Sequence, residues 1–158
     1  MIYLDDLLQA TGGELQGEAP VTEFSGFAFD SRQLEPGELF LAVKTATGDG
    51  HNFIDDAVRQ GAAGVLCEYC RAPVTPAGPV TTVVVPDIQQ ALSDYAAFLL
   101  QKYKPRVVGV TGSSGKTTTK EAIAAILGKQ YQVFKNYGSY NGRYGLPIAL
   151  GKFEPEHE

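Results

Sequence analysis

Thr111-Gly112-Ser113-Ser114-Gly115-Lys116-Thr117-Thr118 lies between a strand-like apolar run, Arg106-Val107-Val108-Gly109-Val110, and a helix-like run from Thr119 to Leu127. A strand, a glycine-rich turn and a helix in that order read as a phosphate-binding loop and as the start of an α/β fold. Gly112 and Gly115 permit tight, partly left-handed turns, so that successive amides converge on an anion. The helix start adds unpaired N–H groups and the positive end of its dipole. Lys116 then reaches the β- and γ-phosphates as a point charge, and Thr117 offers its hydroxyl to a bridging Mg²⁺. The general pattern has glycine where this chain has Val110, so Thr111-Gly112 opens the turn instead. The alternative is an ordinary Gly/Ser turn carrying a solvated lysine. The flanking strand-like and helix-like runs meet the context that the motif requires.

The composition limits what surrounds this loop. The 158 residues suffice for one good core or two small ones, and 44% hydrophobic with 20% charged residues is the balance of a soluble globular chain. Disordered and fibrous classes are excluded. A formal net charge of -5 argues against a nucleic-acid-binding surface, which is usually basic. A small anionic ligand is still permitted, because a nest of amides acts locally. No apolar run approaches the roughly 20 residues that span a bilayer, and Met1-Ile2-Tyr3-Leu4-Asp5-Asp6 lacks a basic flank and an apolar leader. A cytoplasmic location without membrane contact is expected. Cys67 and Cys70 form a C-x-x-C, which reads either as a redox or zinc half-site or as core packing; His51 and His157 stand isolated in sequence.

Along the chain, Leu4 to Ala10 is a helix candidate ended by Gly12-Gly13. Phe24–Phe29 and Leu39–Val43 read as strands around a Pro36-Gly37 turn. Asn52–Gln60 reads as a helix with Phe53, Ala57 and Val58 near one face, stopped by Gly61. Gly64–Cys67 and Thr81–Val85 are further strands, separated by the Pro-rich loop 72–79. Asp87 caps a helix from Ile88 to about Tyr103, whose Leu92, Tyr95, Ala96, Leu99 and Leu100 recur at helical spacing. Lys104-Pro105 ends it.

That break predicts two units. Residues 1–104 form a small α/β domain, and residues 105–158 begin a second one with strand, loop and helix, followed by a strand at Tyr131–Phe134. A complete nucleotide-binding sheet does not fit in the second stretch, and Phe153–Glu158 reads as polar. The chain is therefore expected to be the N-terminal part of a longer enzyme.

Four segments carry a resemblance. They are Asp30-Ser31-Arg32 with Pro36-Gly37-Glu38-Leu39-Phe40-Leu41-Ala42; Asp49-Gly50-His51-Asn52-Phe53-Ile54 with Ala57 and Gly61-Ala62; the phosphate loop with Thr119-Lys120-Glu121; and Tyr140-Asn141-Gly142-Arg143-Tyr144-Gly145-Leu146-Pro147. In this order and spacing the chain resembles the Mur ligases, the ATP-dependent ligases of bacterial cell-wall precursor synthesis. Lys120-Glu121 and the closing Gly-Leu-Pro resemble the branch that adds D-alanyl-D-alanine to UDP-N-acetylmuramoyl-tripeptide. The branch adding the third residue is the nearest alternative.

The resemblance implies a P-loop parallel-sheet ATPase domain, left incomplete here, after an N-terminal domain that binds the UDP end of the substrate. It also implies ATP and Mg²⁺ as cofactors, and a monomer when the enzyme is whole. The reaction implied is phosphorylation of a terminal carboxylate followed by amine attack on the acyl phosphate, which is largely positioning and charge neutralisation. Carried over residue by residue, Lys116 is catalytic and Thr117 holds Mg²⁺. Gly112, Ser113, Ser114, Gly115 and Thr118 form the cradle, and Asn141 lies near ATP or the acceptor. Ser31 and Arg32 are the substrate candidates; the alternative is a capped turn with a surface ion pair. His51 either touches substrate or satisfies a loop backbone, and Tyr137, Tyr140 and Tyr144 either stack on a base or pack. Outside this family, a kinase-like phosphate-loop protein or a binding module without turnover would fit the loop alone.

Overall fold

Side-chain alternation along short parallel strands decides how the core is layered. The computed structural model describes residues 1–45, 48–69, 78–136 and 144–157. The strands are β1 (Ile2–Tyr3), β2 (Glu14–Gln16), β3 (Glu23–Phe24), β4 (Phe27–Ala28), β5 (Leu39–Leu41), β6 (Gly64–Glu68) and β7 (Thr81–Val85), interspersed with helices. Those helices are α1 (Leu4–Thr11), α2 (Ile54–Arg59), α3 (Ile88–Tyr103), α4 (Lys116–Leu127) and α5 (Gly145–Leu150). The main sheet has the order β2-β7-β6-β5-β4; β4 to β7 run parallel and β2 pairs antiparallel with β7. Successive side chains of a strand face opposite ways. Leu39, Leu41, Leu66, Val83 and Val85 therefore join Leu7, Ile88, Leu92, Tyr95 and Leu99 in the cluster beneath α1 and α3. Phe40, Ala42, Val65 and Cys67 join Ile54, Ala57 and Ala62 in the second cluster, on the α2 face. The result is an α/β arrangement with helices on both sides of a mostly parallel sheet.

Several expected elements take a different form. The Phe24–Phe29 run is interrupted at Ser25-Gly26, and its halves enter different sheets: β3 pairs with β1 and β4 with β5. The expected helix at Asn52 begins instead with a 3₁₀ turn over Gly50–Phe53, and this turn rotates Phe53 outward to 48% exposure while Ile54 and Ala57 are buried. The run Arg106–Val110 does not form a strand, and neither does Tyr131–Phe134. A ladder needs a partner, and no strand pairs with either run among the described residues. Val107 and Val108 are accordingly 71% and 60% exposed.

The α3 reading holds in detail. The Gln90 N–H donates to the Asp87 carboxylate at 2.8 Å, and Lys104 closes the helix in the left-handed conformation with φ 50°. Helix α4 starts at Lys116, three residues earlier than expected, because Gly115 serves as its N-cap. The C-terminal stretch is not merely polar: Ile148, Leu150 and Phe153 are buried in the cluster that contains Tyr95 and Leu99.

Candidate functional site

The phosphate loop owes its shape to two backbone positions. Gly112 has φ 146° and Gly115 φ 76°, values that a side chain would strain, and a Cβ at Gly115 would meet nothing within 4 Å. Helix α4 leaves Gly115 with no side-chain cap. Its first intrahelical bond is Thr119 N–H to the Gly115 carbonyl at 2.9 Å, so the amides ahead of it point into the loop. Lys116 Nζ folds back and donates to the Gly112 carbonyl at 2.5 Å, which puts a cation over the same loop. Ser113, Ser114, Thr117 and Thr118 are exposed around it. Uncapped amides, a cation and free hydroxyls at the start of a 12-residue helix fit a polyphosphate with its Mg²⁺.

A second set of expected residues gathers at the carboxyl edge of the parallel sheet, where α/β folds present ligand-binding loops. Ser31 and Arg32 sit in the 3₁₀ turn Ser31–Gln33 after β4, and Asp49 and His51 in the loop after the neighbouring β5. Ser31 is 7% exposed, whereas the Arg32 guanidinium projects with its side chain 84% exposed. Asp30 caps the turn and pairs with Arg32, Nε to Oδ1 at 2.9 Å and Nη2 to Oδ2 at 2.7 Å. The Arg32 side-chain bonds hold the Asp30 carboxyl down at about 2. His51 is committed within its own loop. Nδ1 lies 2.6 Å from Asp49 Oδ1, and Nε2 accepts the Glu68 N–H at 3.2 Å, which places the proton on Nδ1. That hydrogen bond from His51 is also the main reason the Asp49 carboxyl is lowered.

The same edge carries side chains that the sequence reading passed over. Phe29 and Tyr69 follow β4 and β6 directly and are 54% and 55% exposed. An aromatic residue immediately after a strand was the available signal. A cavity of about 290 Å³ lies between β4 and α5, lined by Phe27, Phe29, Asp30, Glu38, Ile148 and Lys152 among others. Glu38 is buried, accepting the Glu35 N–H at 2.9 Å, with Lys152 Nζ 4.0 Å from its other oxygen. Nothing in one-dimensional spacing links Glu38 to Lys152.

Cys67 is fully buried with Sγ 3.8 Å from the Val83 carbonyl, and no metal-binding group of three side chains occurs among the described residues. Tyr144 packs against the core cluster. Asn141, Cys70, Tyr137 and Tyr140 lie outside the described residues.

Comparison with known proteins gives two family matches, described as "Mur ligase family, catalytic domain" over residues 23–99 and "Mur ligase middle domain" over residues 110–158. A UDP-N-acetylmuramoyl-tripeptide–D-alanyl-D-alanine ligase from Bacillus subtilis is 42% identical over 129 residues, 82% of this chain and 28% of the relative. The solved UDP-N-acetylmuramoylalanyl-D-glutamyl-2,6-diaminopimelate–D-alanyl-D-alanyl ligase of Acinetobacter baumannii superposes with a TM-score of 0.83 at 32% identity, over 98% of this chain and 34% of that one. A MurF ligase from Thermotoga maritima, solved in complex with ADP, superposes at 0.67 with 37% identity over 84% and 30%. The chain thus spans about a third of the length of the relatives it matches.

Proposed function

The chain belongs to the Mur ligase family, and from that premise we propose that it is the N-terminal part of an ATP-dependent amide-bond ligase of peptidoglycan-precursor synthesis. Its substrates are UDP-N-acetylmuramoyl-tripeptide and D-alanyl-D-alanine, and it works as a cytoplasmic monomer with Mg²⁺. Among the described residues no helix is long and apolar enough to cross a membrane. The observation that carries the reading is the loop: an uncapped helix start behind two positive-φ glycines, with the Lys116 ammonium held over it.

In this reading residues 1–104 hold the nucleotide-sugar end and residues 105–158 begin the ATP-binding domain. Bound ATP supplies the phosphoryl group that activates the substrate carboxylate for amide formation. Lys116 exchanges the Gly112 carbonyl for phosphate oxygens and stays close to charge that builds during transfer. The amides of Gly112 to Thr118 orient the phosphates, and the Thr117 hydroxyl holds Mg²⁺. Asn141 contributes near the nucleotide or the acceptor. Arg32, already projecting into solvent, binds the diphosphate, with Ser31 beside it. His51 serves the substrate indirectly, since both of its ring nitrogens are spent on fixing the loop after β5.

The test is made in the full-length ligase. Lys116→Ala should lower dipeptide-dependent ADP formation by about 10²- to 10³-fold, the usual loss for one transition-state contact, and activity within about threefold of wild type removes the residue from the mechanism. ADP formation that proceeds without D-alanyl-D-alanine would point to a kinase-like protein instead.

A further inference from the structure

Lys120 and Glu121 follow the loop threonines but take no part in the phosphate cradle described above. Their surroundings give them another task. No residue of α4 is buried, and Ile126 is 69% exposed, so apolar packing among the described residues does little to fix this helix. Polar contacts take that place. After α4 the Tyr131 N–H closes on the Leu127 carbonyl at 2.9 Å, and the chain runs back along the helix. At the end of that return Lys120 Nζ donates to the Asn136 carbonyl at 2.6 Å. Glu121 pairs with Lys135 on the same return segment, and Lys120 Nζ lies 3.5 Å from Glu121 Oε1. Lys120 is only 18% exposed in its side chain, unusual for a lysine on a helix without buried residues.

Two neighbouring side chains thus grip two neighbouring positions of the segment. Residues four apart share a helix face, so Lys120 stands one turn below Lys116 and close to the face that bears Thr117. A hydrogen bond is directional in a way that apolar contact is not, so two of them fix both the rotation and the axial position of α4. Turning the helix by one residue, about 100°, would carry Lys116 and Thr117 off the loop mouth.

We propose that Lys120 and Glu121 are positioning residues, a two-point crossbar that locks the phosphate-loop helix to residues 131–136 and so aims Lys116 and Thr117 at the bound phosphates. The inference rests on the nucleotide-binding reading of the loop. Its test uses the 158-residue chain and Mg²⁺-tripolyphosphate, with binding read from the backbone amides of residues 112–118 so that any contact at Arg32 is not counted. In the wild-type chain, NMR relaxation should show residues 131–136 as rigid backbone, with order parameters near about 0.85, and in Lys120→Met these should fall below about 0.6. Tripolyphosphate affinity should drop on the order of tenfold, the equivalent of one charge-assisted hydrogen bond, while far-UV circular dichroism stays unchanged. Lys120→Arg should restore both, and Glu121→Lys combined with Lys135→Glu should behave better than either alone. A segment that stays rigid in Lys120→Met overturns the crossbar. So does a loosened segment with unchanged affinity, which would leave the residues a purely structural role. Failure of the wild-type chain to bind tripolyphosphate overturns the loop reading itself, and the crossbar with it.

Discussion

The Asp30 carboxylate takes three hydrogen bonds from one residue: the Arg32 N–H at 3.0 Å, Nε at 2.9 Å and Nη2 at 2.7 Å. Such bonding favours the charged carboxylate, so its folded value lies at about 2, below the ordinary 3.8. Because the folded value is lowered, the stabilisation is present above the ordinary value and is lost as pH falls toward 2. The pair is exposed, so solvent keeps its contribution small. NMR titration should place the Asp30 midpoint near 2 in the wild-type chain and higher in Arg32→Ala, still below 3.8 because the residue-32 N–H continues to donate to the carboxylate. A midpoint that does not move would show that the turn, not the guanidinium, sets it. The same pair holds the Arg32 guanidinium outward without burying it. His51 is likewise committed, with both ring nitrogens engaged, by Asp49 and by the Glu68 N–H.

Helix α3 is the element around which the rest packs, and its Tyr95 is 1% exposed with the ring edge-on to Phe27 at 5.7 Å. Its hydroxyl is buried with no hydrogen-bond partner among the described residues. Burial pushes the phenol well above its ordinary range. A buried hydroxyl without a partner costs desolvation and returns nothing. Tyr95→Phe should therefore leave stability unchanged or raise it by up to about 1 kcal/mol, read from urea unfolding at constant slope. A loss larger than about 1 kcal/mol would reveal a bond that the hydroxyl makes in solution, by the same accounting. Helix α4 is the contrasting element: its pattern and start residue form a helix locally, while directional polar contacts hold it in place.

Across the whole molecule, residues 144–157 pack against the body that precedes the phosphate loop. Ile148, Leu150 and Phe153 share a cluster with α3, and Phe153 meets the Tyr103 ring at 5.8 Å. The Met1 ammonium lies 2.6 Å from Glu154. Gly151 passes so close to Phe27 that a Cβ would fall 2.6 Å from its Cδ2. The chain leaves this body after Lys104 and is back on it at Phe134, whose ring meets Phe153 at 5.6 Å. Chain cut once by protease between Pro105 and Asn136 should elute as a single native species from a sizing column. The Ile148→Asp form, similarly cut, should release its C-terminal piece, because a charge in that cluster has no partner. Separation of the wild-type pieces would show that α5 is held only by the intact chain.

Local chemistry was legible in the sequence wherever the cause lies within a few residues. The Asp87 cap, the α3 stripe, the Gly115-Lys116 loop and the Asp30-Ser31-Arg32 turn each follow from short-range hydrogen bonding, backbone conformation or helical periodicity, and each appears in the fold. The division of Phe24–Phe29 between two sheets, the loss of ladders at Arg106–Val110 and Tyr131–Phe134, and the burial of Phe153 depend on partners far along the chain. The same is true of His51 bonding to Glu68, Lys120 to Asn136, and Glu38 facing Lys152. The sequence by itself determined the glycine-rich turn ahead of α4 and the cap and apolar stripe of α3. Only the tertiary structure decided which segments meet, because strand pairing and side-chain contacts between distant segments exist only once the chain has closed on itself.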